Sequence, residues 1–100
     1  MRLVSIKAQL MEPKISRNPS ADFAPMKNES ILFHPKTNQF CMLNASATFI
    51  WSQLEHPRTV SELAGMVCNH FDGVSIAEAV RDVEQTIDQL ISLDCLTSQV

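Results

Sequence analysis

Two short apolar runs stand out in the first half of the chain, before the spacing of apolar residues becomes helical. Residues 31–33 (ILF) and 40–43 (FCML) are rich in branched and aromatic side chains, which favour β-strands. Between them lie Pro35, which presets φ for a turn, and Asn38, which tolerates the left-handed conformation that closes one. The pattern therefore predicts a β-hairpin with a tight turn.

Three amphipathic helices are predicted after the hairpin. The first covers about residues 45–55, with Asn44 as its N-cap and Pro57 just beyond its end. The other two each begin with a capping box, in which a hydroxyl caps the helix and a glutamate three residues later bonds back. The two boxes are Thr59 with Glu62 and Ser75 with Glu78, and these helices run to about residues 71 and 93.

The residues before the hairpin add one more strand and a linker-like segment. A strand is predicted near residues 23–27, where Pro25 is compatible only with an edge or a bulge. Residues 1–21 are interpreted as an N-terminal tail or arm that can be disordered, and residues 22–100 as one domain. The order predicts an α+β fold, winged helix-turn-helix-like, with a small three-stranded antiparallel sheet followed by three α-helices.

The charge of the chain is unevenly distributed. Residues 1–36 carry six Lys or Arg and three Asp or Glu, whereas residues 37–100 carry two and eight, so the body of the predicted domain is acidic. An acidic body disfavours nucleic acid and anionic membranes as partners. No apolar run approaches the roughly 20 residues that a membrane span needs, and no signal peptide is evident. We expect a soluble, cytoplasmic protein.

Candidate catalytic or metal-binding groups are sparse. The three cysteines are widely spaced, with no zinc-type pattern, which favours buried, reduced thiols. His34, His56 and His70 lie in or near predicted turns, where solvated surface positions are the expected interpretation. No nucleophile–base pair or carboxylate pair occurs at a meaningful spacing. We therefore expect no catalytic residues, no bound metal and no cofactor.

The order and spacing of several short motifs, over about residues 22–96, resemble the PqqD-like family. These motifs are the strand pair with its five-residue turn, Leu43-Asn44, Ile50-Trp51, the run Pro57-Arg58-Thr59-Val60-Ser61-Glu62-Leu63, and a long capped helix ending near Leu96. His34 and Asn38 depart from the family, which usually has an acidic residue and a glycine there. The resemblance implies a non-catalytic recognition module for ribosomally synthesised, modified peptides. Its partners would be the leader segment of a precursor peptide and a modifying enzyme, by analogy of the radical S-adenosylmethionine type.

The resemblance further implies that the leader adds as a strand to an exposed edge near residues 39–43, with the third helix as the other wall of a groove. Strand alternation places Cys41 and Leu43 towards the core and Phe40 and Met42 on the other face. We expect Glu84 and Asp88 to attract basic leader side chains. The predicted peptide-binding set is Gln39, Phe40, Cys41, Met42, Leu43, Val80, Arg81, Val83, Glu84, Ile87, Asp88 and Ile91.

Two other functions are weighed against this one. A winged-helix DNA-binding regulator is disfavoured because the third helix carries one base, Arg81, and four acids, while the second helix carries no Lys or Arg. An enzyme is disfavoured by the missing catalytic pattern. A domain-swapped or edge-paired homodimer remains an alternative for the oligomeric state.

Overall fold

The computed structural model describes residues 12–99 and shows a small sheet packed against three helices. In chain order the elements are β1 (Lys14–Arg17), β2 (Asp22–Pro25), β3 (Ser30–His34), β4 (Gln39–Leu43), α1 (Ala45–Gln53), α2 (Val60–His70), α3 (Ile76–Ser92) and β5 (Leu96–Gln99). Strands β2, β3 and β4 form an antiparallel sheet in that order. The predicted α+β fold, with three strands followed by three helices, is confirmed.

The helices begin where the sequence predicts. Asn44 accepts a hydrogen bond from the Ala47 amide at 2.9 Å, which caps α1. Both capping boxes form, with Thr59 and Glu62 at the start of α2 and with the matching serine and glutamate at the start of α3. Each box pairs two backbone groups that a bare helix end would leave without partners.

One hydrophobic core joins the sheet, the helices and the terminal strand pair. Its central side chains are at most 4% exposed and come from every element except β2. The large members are Ile15, Leu32, Leu43, Ile50, Trp51, Leu54, Leu63, Val67, Val83, Ile87, Leu90 and Leu96. Trp51 is buried as a core residue, and the Phe23 ring of β2 stacks on it with a centroid distance of 6.0 Å.

A second, two-stranded sheet corrects the predicted domain boundary. Strand β1 lies inside the segment interpreted as a tail, yet it pairs antiparallel with β5, with Ile15 opposite Ser98. Ile15 is only 3% exposed and also exchanges backbone hydrogen bonds with Arg58. The folded body therefore begins before residue 22, because β1 closes the core between β5 and the start of α2. The earlier part of the predicted tail, residues 1–11, lies outside the described residues.

His34 also differs from its expected surface position. It is the last residue of β3, its side chain is 1% exposed, and its Nε2 lies 3.1 Å from Oδ2 of Asp94. The other ring nitrogen, Nδ1, accepts the Lys36 amide at 3.2 Å. The Lys36 contact assigns the proton of a neutral ring to Nε2, which then donates to Asp94. The side chain is buried because strand alternation places it on the inner face with Leu32.

Candidate functional site

The three-stranded sheet has two edges, and they differ in what they offer another strand. Among residues 12–99, β4 pairs with β3 on one side only, and β2 likewise pairs only with β3. Strand β1, which could have covered an edge, is instead bonded to β5. The decisive difference between the two edges is which backbone groups each one directs outward.

The hydrogen-bond register of the β2–β3 hairpin fixes the direction of these groups. The Met26 amide donates to the Glu29 carbonyl at 2.8 Å, which makes that pair a bonded one. Bonded and non-bonded pairs alternate in an antiparallel ladder, so the next pair, Pro25 with Ser30, is non-bonded. This assignment agrees with proline, which has no amide hydrogen to give. It also means that Pro25 faces the outer edge of β2 and removes a donor from it.

The same alternation carries across β3 to β4. Because Ser30 does not bond to β2, its backbone groups point to β4, and so do those of Leu32 and His34. Their partners on β4 are consequently the bonded ones, which leaves Phe40 and Met42 with N–H and C=O groups directed away from β3. The β4 edge thus presents two donors and two acceptors, whereas the β2 edge is interrupted by proline.

Side chains on β4 alternate as the strand geometry requires. Leu43 is buried and Cys41 is half-buried on the inner face, while Phe40 and Met42 are 69% and 60% exposed on the outer face. Such large exposed apolar side chains on an open edge strand are unusual, since edges are commonly protected by charges or proline. As far as residues 12–99 are concerned, the edge therefore combines backbone groups without a strand partner with apolar side chains.

Three contacts hold β4 in place from its two ends and its middle. The Thr48 hydroxyl, in α1, donates to the Leu43 carbonyl at 3.2 Å. At the hairpin end, the contact between His34 and Asp94 joins the last residue of β3 to the turn after α3. In the middle, Nε2 of Gln89 donates to Sγ of Cys41 at 3.3 Å. The contacts at its two ends order the backbone of β4 before anything binds, which lowers the entropic cost of pairing, whereas the contact to the thiol sulfur, a weak acceptor, adds little.

The contact from Gln89 also identifies which flank of α3 faces β4. Successive residues of an α-helix are rotated by about 100°. Gln85 and Asp82 therefore lie within about 40° of Gln89 around the helix axis, and Thr86 lies about 60° away on the side of the core. These four residues form what we call the polar flank of α3, and all of them except the half-buried Thr86 are exposed.

The predicted residues of α3 fall elsewhere on the helix. Asp88 is rotated by about 100° and Glu84 by about 140° from Gln89, so the structure does not bring them to the side that contacts β4. Val83 and Ile87 are 0% and 4% exposed, and their side chains belong to the core rather than to a groove wall. Of the other predicted residues, Val80 is half-buried, Arg81 is exposed about 40° from Gln85 at the border of the polar flank, and Ile91 is exposed about 160° from Gln89.

Sequence reasoning missed Gln89, Gln85, Asp82 and Thr86. The helical stripe of apolar residues locates the buried face, but both flanks of that face are polar and look alike in the sequence. Only the position of β4 beside α3 distinguishes them. Gln39, the first residue of β4, is exposed, as expected from its place beside the turn.

The electrostatics of the edge are mild. Burial raises the pKa of the Cys41 thiol, which keeps it protonated and weakly nucleophilic at neutral pH. The pKa of Cys95 is raised first by burial and then by the nearby Cys41 and Asp94. Within residues 12–99, no group of three His, Cys, Asp or Glu side chains could hold a metal ion. None of the helices in that range is long and apolar enough to cross a membrane.

A pocket of about 510 Å³ lies between β1, β2 and α1, where Arg17, Phe23 and Trp51 are among its lining residues. The Arg17 guanidinium stacks on the Trp51 ring at 4.8 Å from its centroid and donates to the Trp51 carbonyl. Both groups are thereby engaged in holding β1 against α1, and burial lowers the pKa of Arg17. The pocket is consequently a feature of packing, and β4 is the candidate functional site.

Comparison with known proteins gives one family match and two solved structures. The model of the family described as coenzyme PQQ synthesis protein D (PqqD) matches residues 29–96. A search among curated proteins gave no significant match.

Both similar structures are complexes with a leader peptide. TbiB1 in complex with the TbiA(β) leader peptide superposes with a TM-score of 0.73 at 23% identity, covering 81% of this chain and 93% of that one. Lasso peptide synthetase B1 complexed with its leader peptide has a TM-score of 0.69 at 18% identity, covering 83% and 96%. At these identities the two structures establish the shared fold.

Proposed function

Because the chain belongs to the PqqD family, we propose that it binds the leader segment of a ribosomally synthesised precursor peptide and delivers it to a separate modifying enzyme. The leader adds as a fourth strand to the sheet, alongside β4. The observation that carries this proposal is the edge of β4, which no other described strand covers and where Phe40 and Met42 direct their backbone groups outward. The two complexes of similar fold with leader peptides support the same function.

Backbone pairing alone gives only weak binding. Four edge hydrogen bonds at about 1 kcal/mol each amount to about 4 kcal/mol, which corresponds to a dissociation constant of about 1 mM. Tighter capture needs side-chain contacts as well, and the exposed ring of Phe40 and thioether of Met42 can supply them. The fixed position of β4 helps, because little order has to be gained on binding.

For the partner enzyme, we propose only a class of protein. Family analogy suggests a radical S-adenosylmethionine protein in the cytoplasm, acting on a precursor that this module presents. A homodimer formed through two β4 edges would compete with leader binding, because both use the same backbone groups. We therefore propose that the leader-bound form is monomeric at this edge.

A DNA-binding role is not supported by the charges on α3. Its described exposed side chains include the acids Glu78, Asp82, Glu84 and Asp88 and one base, Arg81. A recognition helix has to approach the phosphate backbone, and an acidic helix is repelled by it. The two structures of similar fold are likewise complexes with leader peptides rather than with nucleic acid.

The proposal is tested by blocking one amide of the β4 edge. A display library of random 20-residue peptides is selected on the wild-type chain, and the dissociation constants of enriched peptides are measured by fluorescence anisotropy. Met42→Pro removes an outward N–H without breaking the ladder to β3, and Met42→Ala is the matched control that keeps it. We expect at least tenfold weaker binding for the proline variant relative to the alanine variant.

Equal affinities for the two variants, with unchanged circular dichroism, would refute strand addition at β4. A charge-reversed variant, Glu84→Lys with Asp88→Lys, tests the predicted attraction of basic leader residues separately. If those carboxylates contact the leader, peptides rich in Lys or Arg should lose affinity for that variant. If only the polar flank faces the leader, their affinity should be unchanged.

A further inference from the structure

The two sides of the space beside β4 have opposite character. On the outer face, Phe40 and Met42 are joined by Phe33 and Ile31 of β3, their direct cross-strand partners, so the four form one apolar patch. On the inner side, Gln89 of the polar flank contacts Cys41 of β4, which places this flank of α3 towards the strand. A strand lying beside β4 would have one row of side chains against each of these surfaces.

We propose that the recognised leader segment is a two-faced strand, with apolar residues opposite Phe40 and Met42 and a polar residue between them. This inference rests on the proposed function and specifies its substrate class. In a paired strand, the residues directly opposite Phe40 and Met42 point to the outer face, as those side chains do. The residue opposite Cys41 points inward, towards Gln89.

Gln89 is suited to form a hydrogen bond with the leader residue opposite Cys41. Its side chain is exposed, and its hydrogen bond at Nε2 goes to a thiol sulfur, which is a weak acceptor. A carbonyl, amide or hydroxyl on the leader would be a better partner, so the amide can exchange Cys41 for the leader at little cost. Gln85 and Asp82 continue the same polar surface along the helix, whereas a large apolar side chain there would cover these groups without satisfying them.

The outer face favours the opposite chemistry. Apolar and aromatic cross-strand pairs contribute up to about fivefold each in affinity relative to alanine pairs. Two such pairs, one with Phe40 and one with Met42, therefore distinguish an apolar–polar–apolar triplet from the inverse pattern by up to about 25-fold. The flanking Phe33 and Ile31 extend the patch without changing this register.

The experiment uses the same random library with an added counter-selection. Peptides selected on the wild-type chain are passed over the Met42→Pro variant, and those that bind it are discarded, so only edge-dependent binders are sequenced. We expect enrichment of triplets with a polar residue between two apolar ones. A synthetic peptide with the inverted triplet should bind at least tenfold more weakly than its parent.

Matched variants test which surface of this protein each row of leader side chains contacts. Gln89→Ala should weaken the parent peptide about three- to tenfold, as expected for one lost hydrogen bond, and Phe40→Ser should weaken it about fivefold. Asn69→Ala on α2 and Ile76→Ser at the start of α3 are controls of the same chemistry at exposed positions elsewhere, and should leave affinity unchanged.

The outcomes separate this inference from the function on which it rests. Edge-dependent binders without the alternating triplet, or with affinities insensitive to Gln89→Ala and Phe40→Ser, would overturn the two-faced strand and leave strand addition intact. A selection that yields only binders indifferent to Met42→Pro would overturn both.

Discussion

The contact between His34 and Asp94, at 3.1 Å, holds the hairpin end of β4 near the C-terminal end of α3. A double-mutant cycle with His34→Ala and Asp94→Gly isolates it. Glycine is chosen at position 94 because Asp94 has φ of 60°, in the left-handed region, where alanine would add backbone strain. The cycle therefore removes the carboxylate without disturbing the turn after α3.

The two single changes should differ in size. His34→Ala removes a side chain that is 1% exposed together with its hydrogen bonds to the Lys36 amide and to Asp94. We expect this change to lower the free energy of unfolding by about 2–4 kcal/mol. Asp94 is 63% exposed, so its loss should cost about 1 kcal/mol. The coupling between the two residues should be about 1 kcal/mol, since one partner is screened by water.

Urea denaturation, followed by tryptophan fluorescence, gives the free energy of unfolding of the wild type, the two single variants and the double variant. The fluorescence reports on the core because Trp51 is the sole tryptophan and lies there. A coupling free energy below about 0.3 kcal/mol would show that the two side chains do not support each other. In that case the contact with Asp94 would not fix the turn end of the hairpin, which would be held by core packing and by the contacts to α1.

Three further predictions test other parts of the structure. Ile15→Ala should lower the free energy of unfolding by about 2–5 kcal/mol in urea denaturation, because Ile15 is a core residue; a change below about 0.5 kcal/mol would mean that β1 is not part of the body. The capping hydrogen bonds lower the pKa of Glu62 and Glu78, so their contribution is present above about pH 4.3 and lost as pH falls through the lowered pKa values. Glu62→Gln and Glu78→Gln should therefore flatten the acid limb of the stability–pH profile, and an unchanged limb would contradict this assignment. Cys41 should react slowly with iodoacetamide at pH 8, because burial raises its pKa, and more slowly still with a selected peptide bound; equal rates with and without peptide would argue against coverage of β4.

Local signals account for the parts of the fold that were predicted. A capping box is complete within four residues, so Thr59 with Glu62 marks the start of α2 without knowledge of the rest of the chain. The hairpin of β3 and β4 is likewise contained in one segment, where Asn38 adopts the left-handed conformation with φ of 60° that its residue type tolerates. Each of these features is determined by residues that are close together in the sequence.

Non-local pairing accounts for the parts that were not predicted. Strand β1 finds its partner at the opposite end of the chain, in the register that places Lys14 opposite Gln99. The four residues of β1 contain no signal that predicts pairing with β5. In addition, a short segment between two prolines resembles a linker. The buried position of His34 is missed for the same reason, since the carboxylate that it meets belongs to Asp94, sixty residues away.

The polar flank of α3 shows where helical periodicity stops being informative. The apolar stripe of an amphipathic helix determines which face is buried, but it is symmetric with respect to the two flanks beside that face. Glu84 and Gln89 lie on different flanks, and both are exposed polar residues. The tertiary contact between Gln89 and Cys41 breaks the symmetry, because it fixes the side on which the sheet lies. Under the proposed function, selection among peptides is therefore expected to depend on the polar flank of α3 and on the apolar outer face of β4 rather than on Glu84 and Asp88.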